Sequence, residues 1–566
     1  MKKYIGTIVT VVVMVLYMMV SYYLLIPPIN LTSGEFWIYI IQLLTIFCII
    51  TLFSLIVDKL KNASYKKSKF NKSKFNKKIN IKYADMGLVS KVIFIADVCV
   101  ILLFVFLSIF SSEIFNSKKY SQILQVKEGS IDDIPSVTNA SAIALMDTQS
   151  AIKLGDREIG SLNTVVSQYD IEDYSYAQLN FNNTPVKVAP LAYASFFKWV
   201  NNRDKGIVGY VVVNPVSMDA SYQELSKGMK YVPSAFLGQD LQRHIRNKYK
   251  TTIFEEPHFE IDEDGNPWYV APVIKKTIGV VGGKKVTGAI LIDPVTGDMK
   301  KYKLDEVPTW VDIVCPGDLI CKQYNDYAQL QNGFLNSIIG QNGCRKVTEN
   351  SEESTSDYGY IAKNDDIYIY TGITSVNGDS SNIGFIIANE RTGETSYIEA
   401  AGADEFSAMN AAEGEVQEKG YEASFPSLIT IDNVPTYIMV LKDKSGLVKL
   451  YACVNVNQYN IVATASTQEK CIDNYNRLLK GEDINPNTDE NTAQKEEIDY
   501  TQYEEKDITI AKMQTIDEDG NTYLYIVDTE GKIYHAKYKD VINMLLVNVG
   551  DTVKLRVFND NFLTIE

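Results

Sequence analysis

The side chains able to do chemistry are few in this 566-residue chain and poorly spaced for it. Three histidines stand at His244, His258 and His535, and no pair has the four-residue separation that sets two metal ligands on one helix face. Five of the seven cysteines follow residue 112: Cys315, Cys321, Cys344, Cys453 and Cys471. An odd count argues against a complete disulfide framework and no Cys-x-x-Cys occurs, so buried small side chains are the expected role. Asp262-Glu-Asp264-Gly265-Asn and Asp517-Glu-Asp519-Gly520-Asn open like calcium loops. Their twelfth residues, Val273 and Asp528, do not supply the bidentate Glu such a loop requires, and both segments read as hairpin turns. There is no Gly-x-Ser-x-Gly, no phosphate loop and no Gly-x-Gly-x-x-Gly ahead of a helix. Acids are plentiful, yet no pair is singled out for glycoside chemistry. The sequence nominates no catalytic residue, no cofactor and no metal ligand.

Two features remain. A helix predicted over 235–250 carries Leu237, Leu241, Ile245 and Tyr249 on one face and Arg243, Arg246, Lys248 and Lys250 elsewhere. That basic cluster suits an anionic lipid headgroup or wall polymer; the plain alternative is a solvated face paired with neighbouring acids. The other is Asp97, about ten positions into an apolar run, where an acid serves an ion path or locks helix packing through a partner such as Thr7, Thr10 or Thr45.

The elements around these residues sort by charge. The first 112 residues carry thirteen Lys and four acids, a net +9, which leaves −24 for the rest of a chain whose total is −15. So acidic a remainder excludes nucleic acid as a partner. Three uncharged runs, 5–25, 36–57 and 88–111 (apart from Lys91 and Asp97), are long enough to span a bilayer. The loop 58–87 between the second and third holds ten lysines, whereas 30–35 holds none. By the positive-inside rule the N-terminus and the lysine loop are cytoplasmic and everything after Ser112 is extracytoplasmic. Lysines interleaved with Phe70 and Phe75 also suit anionic lipid.

From 113 to about 480 apolar strands alternate with turn signals, in a theme that recurs four times: 185–214, 259–303, 366–394 and 428–455. Asp264-Gly265 and Asp293-Pro-x-Thr-Gly297 are its clearest turns. Helices are expected over 318–339 and over 405–419, the latter with Phe406, Met409, Ala412 and Val416 on one stripe. A helix, a glycine turn and a sheet closing on (Asp/Asn)-x-x-Thr-Gly-(Asp/Glu), as at 293–298 and 389–394, resembles the PepSY domains of bacterial envelope proteins. The chain as a whole is similar to membrane-anchored proteins of Gram-positive bacteria, a resemblance that implies a location and brings no activity. Residues 481–506, polar and acidic, read as a flexible linker. Beyond them Gly550-Asp-Thr-Val-Lys-Leu-Arg-Val resembles a strand of an OB- or SH3-like barrel.

The expected organisation is therefore three transmembrane helices (1–112), an α+β ectodomain of repeated antiparallel hairpin modules, and a small C-terminal β-barrel (507–566). The ectodomain divides at 113–255, 256–345 and 346–480. The expected function is a non-catalytic binding, regulatory or scaffold protein of the cell envelope, with the lipid bilayer and an envelope protein as partners. The competing expectations are a carboxylate-based hydrolase of envelope polymer and a sensor or transport accessory built on Asp97.

Overall fold

The structure, a computed structural model, describes residues 2–69, 87–136, 143–172, 175–349, 358–376, 381–482, 504–518, 521–537, 547–558 and 561–565. They fall into two compact units, Met1–Ile484 and Asn485–Glu566.

The first unit begins with α1 (Lys2–Leu25), α2 (Gly34–Lys69) and α3 (Leu88–Phe110). Two segments, Gly34–Phe53 of α2 and Ser90–Phe110 of α3, are long and apolar enough to cross a membrane; Thr10–Leu25 of α1 is apolar but shorter. Their described apolar side chains are mostly exposed in α1 and α3 and mostly half-buried in α2, with few fully buried, the reverse of a soluble core. α2 runs on through the first lysines of the predicted loop, and Lys72, Lys74, Lys77, Lys78 and Lys82 lie outside the described residues.

After α4 (Glu113–Tyr120) and the short β1 (Val126–Glu128), four five-stranded arrays follow, all in one strand order. Sheet one holds β2 (Tyr169–Ile171), β3 (Ala177–Phe181), β4 (Thr184–Tyr193), β5 (Ile207–Asn214) and β6 (Asp219–Met229). Sheet two holds β7 (Ile253–Phe254), β8 (His258–Ile261), β9 (Pro267–Ile278), β10 (Gly282–Ile292) and β11 (Met299–Lys303). Sheet three holds β12 (Arg345–Val347), β13 (Gly359–Lys363), β14 (Asp366–Ser375), β15 (Ser381–Asn389) and β16 (Thr395–Ala403), with β1 added in parallel to β16. Sheet four holds β17 (Glu422–Ala423), β18 (Ser427–Ile431), β19 (Val434–Lys442), β20 (Val448–Asn455) and β21 (Val462–Ala465). In each, the first two strands pair with successive halves of the long third, and the fourth and fifth continue as an antiparallel meander.

Local chemistry fixes this pattern. The turn into the long strand is made by Asn182-Asn183, Asn364-Asp365 and Asp432-Asn433, all at positive φ, as a two-residue hairpin of the right twist demands. In sheet two Asp262 does this work: its carboxylate accepts the N–H groups of Asp264 and Asn266, and Gly265 takes φ +77°. The turn between the fourth and fifth strands also recurs. Asp293 and Asn389 accept the N–H groups two and three residues on, with Gly297 and Gly393 at positive φ. Asn214, whose copy lacks Thr-Gly, makes the same turn with Met218 forced to φ +61°.

Helices α5 (Thr148–Gly160), α8 (Leu241–Lys248), α9 (Gly317–Leu330) and α10 (Glu405–Glu415) each precede one sheet, and α11 (Gln468–Leu479) follows the last. Asp147, Asp240, Asp404 and Thr467 cap α5, α8, α10 and α11 by accepting the third residue's N–H. α8 is shorter than the predicted helix because Asp240 caps it and Leu237, at φ +57°, cannot be helical. α9 ends at Leu330 and α10 at Glu415, each before its predicted terminus.

Strand alternation sends neighbouring side chains to opposite faces. Tyr269, Ala271 and Val273 of β9 join sheet one's Val188 and Val211 in one core, while Val270 and Ile274 join α9 and sheet three's Ile369 and Ile386 in the next. Tyr370 and Phe385 then meet α10 and sheet four's Tyr437 and Met439. Sheet four's outer face packs on α11 and Leu145. The sequence of layers closes on itself: Lys442 is ion-paired to Asp147 at the start of α5, and Lys153 donates to the Ser445 carbonyl at 2.8 Å. The unit is a ring of four sheets.

In the second unit β22 (Glu504–Glu518), β23 (Asn521–Asp528), β24 (Ile533–Lys537), β25 (Thr552–Phe558) and β26 (Asn561–Ile565) close in the order β22-β23-β24-β26-β25 around Ile510, Ile526 and Leu555.

Candidate functional site

The ring is seated on the ends of the apolar helices, and the basic cluster on α8 makes the seat. Arg243 donates from Nε to the carbonyl of Tyr23 at 3.1 Å, and its guanidinium lies 4.3 Å from that ring's centre. Arg246, 6% exposed, donates to the carbonyls of Ile26, Tyr249 and Thr252 and stacks on Phe254. Cations on the last carbonyls of α1 satisfy groups that helix geometry leaves unpaired, and they oppose its dipole. Ile29 N–H and Asn30 Nδ2 complete the seat on the carbonyls of Lys250 and Thr251. Lys248 instead reaches the Met299 carbonyl at 2.6 Å. Of the four basic residues nominated from sequence, Arg243 and Arg246 are thus committed to the chain's own first helix.

α3 is held by the same sheet. The turn joining β9 to β10 sets Val280 N–H on Ser111 Oγ at 2.9 Å, and Tyr120 bridges the Ser111 carbonyl and Gly283 N–H. A Cβ on Gly282 would stand 2.2 Å from the Ser111 carbonyl oxygen, so only glycine allows this approach. Asp97, buried within α3, accepts from Thr45 Oγ1 of α2 at 3.2 and 3.3 Å.

A second polar assembly lies where the ring's sheets converge. Glu260, fully buried, accepts the N–H groups of Asp312 and Ile313 at 2.9 and 3.0 Å and the His258 ring at 2.8 Å. Glu390 accepts the Gly317 N–H at 3.0 Å, and its carbonyl takes Val314 and Cys315. Asp312 accepts Asn180 N–H at 2.7 Å. The segment 312–317 therefore staples sheets one, two and three through buried acids. Burial, with Glu260 adding its charge, raises Asp312 well above the usual carboxylate range. Burial likewise pushes Glu390 up to about 8, the Gly317 N–H opposing it. Glu405, held by Thr348 and the Gly372 N–H, rises to about 7 through burial. These acids are sealed at 0–2% exposure and join the sheets they lie between.

Between sheets one, three and four is a cavity of about 160 Å³, lined by Asp147, Gln178, Lys187, Tyr358, Tyr360 and Phe425 among others. Lys187 is buried there, 3.4 Å from Thr148 Oγ1 and 5.4 Å from the Tyr360 ring centre. Burial drives its ammonium down to about 8, the Asp147 charge acting the other way. The remaining cavities described, about 180 and 270 Å³, are likewise below the size usual for ligand pockets.

His244 donates to the Gly297 carbonyl and stacks on Tyr231, while His535 stacks on Tyr525. All seven cysteines are free thiols. Among the described residues no group of three or more His, Cys, Asp or Glu is placed to hold a metal. The Asp519-Gly520 turn lies outside the described residues. The seat on the helix ends and the buried acids escaped the sequence, because each joins residues far apart in the chain. Only the isolated basic residues of α8 signalled the former.

No known family pattern and no curated protein matches the chain. Solved structures similar to it include an exo-β-1,3-galactanase of Phanerochaete chrysosporium, at 9% identity and TM-score 0.11. That match covers 50% of this chain, which spans about half (51%) of the galactanase. A Bacillus subtilis levansucrase gives 8% identity, 76% and 97% coverage and TM-score 0.16. Scores so low carry no argument about fold or activity.

Proposed function

We propose that this chain is a non-catalytic binding or scaffold protein of a bacterial cell envelope. In this reading all three N-terminal helices span the membrane, the N-terminus and loop 58–87 are cytoplasmic, and ring and barrel are extracytoplasmic. The carrying observation is the seat: α8 is hydrogen-bonded to the end of α1 through Arg243 and Arg246, and sheet two to the end of α3 through Ser111. A platform fixed to its anchor suits holding a partner at a set height over the bilayer. The cavities seen among the described residues are small and the buried acids sealed, which favours partner capture on an outer surface over turnover in a cleft. In this reading the helix-then-sheet units led by α5, α8, α9 and α10 are the PepSY-like modules. The closure order of the C-terminal strands, with β24 and β26 parallel, supports an OB-like barrel.

In-cell crosslinking of the tagged full chain, with the helices alone as control, tests this reading. A specific envelope protein captured only with the ectodomain is the expected result. Capture of wall polymer alone, or release of cleaved polymer by the purified chain, would overturn it.

A further inference from the structure

α7 (Phe196–Asn202) is inserted between β4 and β5, where the described residues of the other three sheets have no helix. Trp199 is buried in the core of sheet one, whereas the other large side chains of α7 point away from it. Phe197 is 75% exposed, and Phe196 and Val200 stand open beside it. The segment ahead of α8 adds Phe236 and Leu237, the latter 55% exposed. The Phe196 ring meets Phe197, Trp199 and Phe236 at 5.7, 5.6 and 5.1 Å, so these residues form one patch. A contiguous apolar surface of this kind marks an interaction site.

Where the patch is tied says what covers it. Trp199 Nε1 donates to Gln239 Oε1 at 2.9 Å, and Gln239 Nε2 returns to the Arg203 carbonyl at 3.1 Å. Asp240 then caps α8, whose Arg243 binds the Tyr23 carbonyl and covers its ring. Leu237 and Arg243 are only six residues apart, on either side of the Asp240 cap. Beside Tyr23 in sequence, Tyr22 meets Tyr39 of α2 at 6.0 Å, and at the start of α2 Trp37 stacks on Phe104 of α3. Such rings gather where bilayer meets water. Lys198, Arg203 and Lys205, with one acid, Asp204, flank the patch with net positive charge, the composition of a segment that lies in a lipid interface.

We propose that Phe196, Phe197, Val200, Phe236 and Leu237 form a second membrane contact. They enter the headgroup–acyl boundary of the leaflet around the outer end of α1, and lipid is their occupant. This rests on the anchored reading above. The ring then meets the bilayer at two places: the helix ends under sheet two and the aromatic patch of sheet one.

The test places a photoreactive benzophenone amino acid at position 197 of the full-length chain, reconstituted in phosphatidylcholine–phosphatidylglycerol vesicles. The same probe replaces Phe106 of α3 in one control and the exposed Tyr459 in another. Position 197 is expected to yield several-fold more lipid adduct than position 459. Adducts at 106 but none above background at 197 would overturn the inference and leave the anchor intact. A crosslink from 197 to a second copy would also overturn it, by assigning the patch to self-association. Absence of lipid adduct at 106 would remove the anchored reading and this inference together.

Discussion

Glu390→Gln tests whether the staple at 312–317 stores a proton. Unfolded, a Glu titrates near 4.3; in the ring burial holds Glu390 at about 8. Between those values the folded chain keeps a proton that the unfolded chain has lost. Stability contributed by the neutral acid is therefore complete below about pH 4.3 and declines as pH rises, until both states are ionised above about 8. The slope is at most about 1.4 kcal/mol per pH unit. The nominal total approaches about 5 kcal/mol, and relaxation of the site brings the expected figure to about 2–5 kcal/mol. Glutamine keeps the acceptor for the Gly317 N–H and cannot ionise. Asp312 and Glu405 bend the absolute curve the same way, so the informative quantity is the difference between variant and wild type. Thermal melts of the full chain in detergent, followed by tryptophan fluorescence from pH 4 to 9, supply it. The two proteins should melt together near pH 4.5, with the variant pulling ahead by several degrees at pH 8. Parallel curves across the whole range, or a variant weaker at pH 8, would refute the reasoning.

Lys187→Met should stabilise the ring at pH 7 by about 1–3 kcal/mol, because a buried ammonium lowered to about 8 is costlier than an apolar side chain. That advantage should vanish near pH 10.5, where the unfolded lysine also loses its proton, and the same melts read it. Arg246→Ala removes the guanidinium from the Ile26, Tyr249 and Thr252 carbonyls, of which Tyr249 keeps the Thr252 N–H, and should cost about 2–4 kcal/mol, seen as a lower melting temperature and faster proteolysis at 26–33. Arg246→Lys should recover little, since one ammonium cannot reproduce the planar fork. Asp97→Asn retains a partner for Thr45 and should leave both melting temperature and partner capture unchanged, whereas an ion path would lose its carrier. Cys453 and Cys471 stand with sulfurs 3.5 Å apart, so mild oxidation of the folded chain should give one intrachain crosslink, between these two, in peptide maps run without reductant.

Local signals carried far in this chain, and long-range ones did not. Asp264-Gly265 and Asp293-Pro-x-Thr-Gly297 announced antiparallel hairpins because turn geometry is written in adjacent residues. The apolar runs of α2 and α3 were plain from length and scarcity of charge. Asn214 shows the limit of motif reading: its turn forms without Thr-Gly because the Asn side chain organises the backbone and Met218 accepts the strained φ. Glu260, Glu390 and Glu405 carried no mark at all. An acid beside a turn or at a helix start is expected to meet water, and only the neighbouring sheets decide that it does not. The seat on the helix ends was equally hidden, since Arg246 and Ile26 are 220 positions apart.

That separation has a consequence for the order of assembly. The C-terminal carbonyls of α1 emerge first in synthesis, yet the guanidinium groups that satisfy them arrive only after sheet one has been made. At roughly 5–20 residues per second the helix end waits some 10–40 s for its cap. Until then it is open to water, lipid or a chaperone. The end of the first helix is thus completed late, by a body made after it.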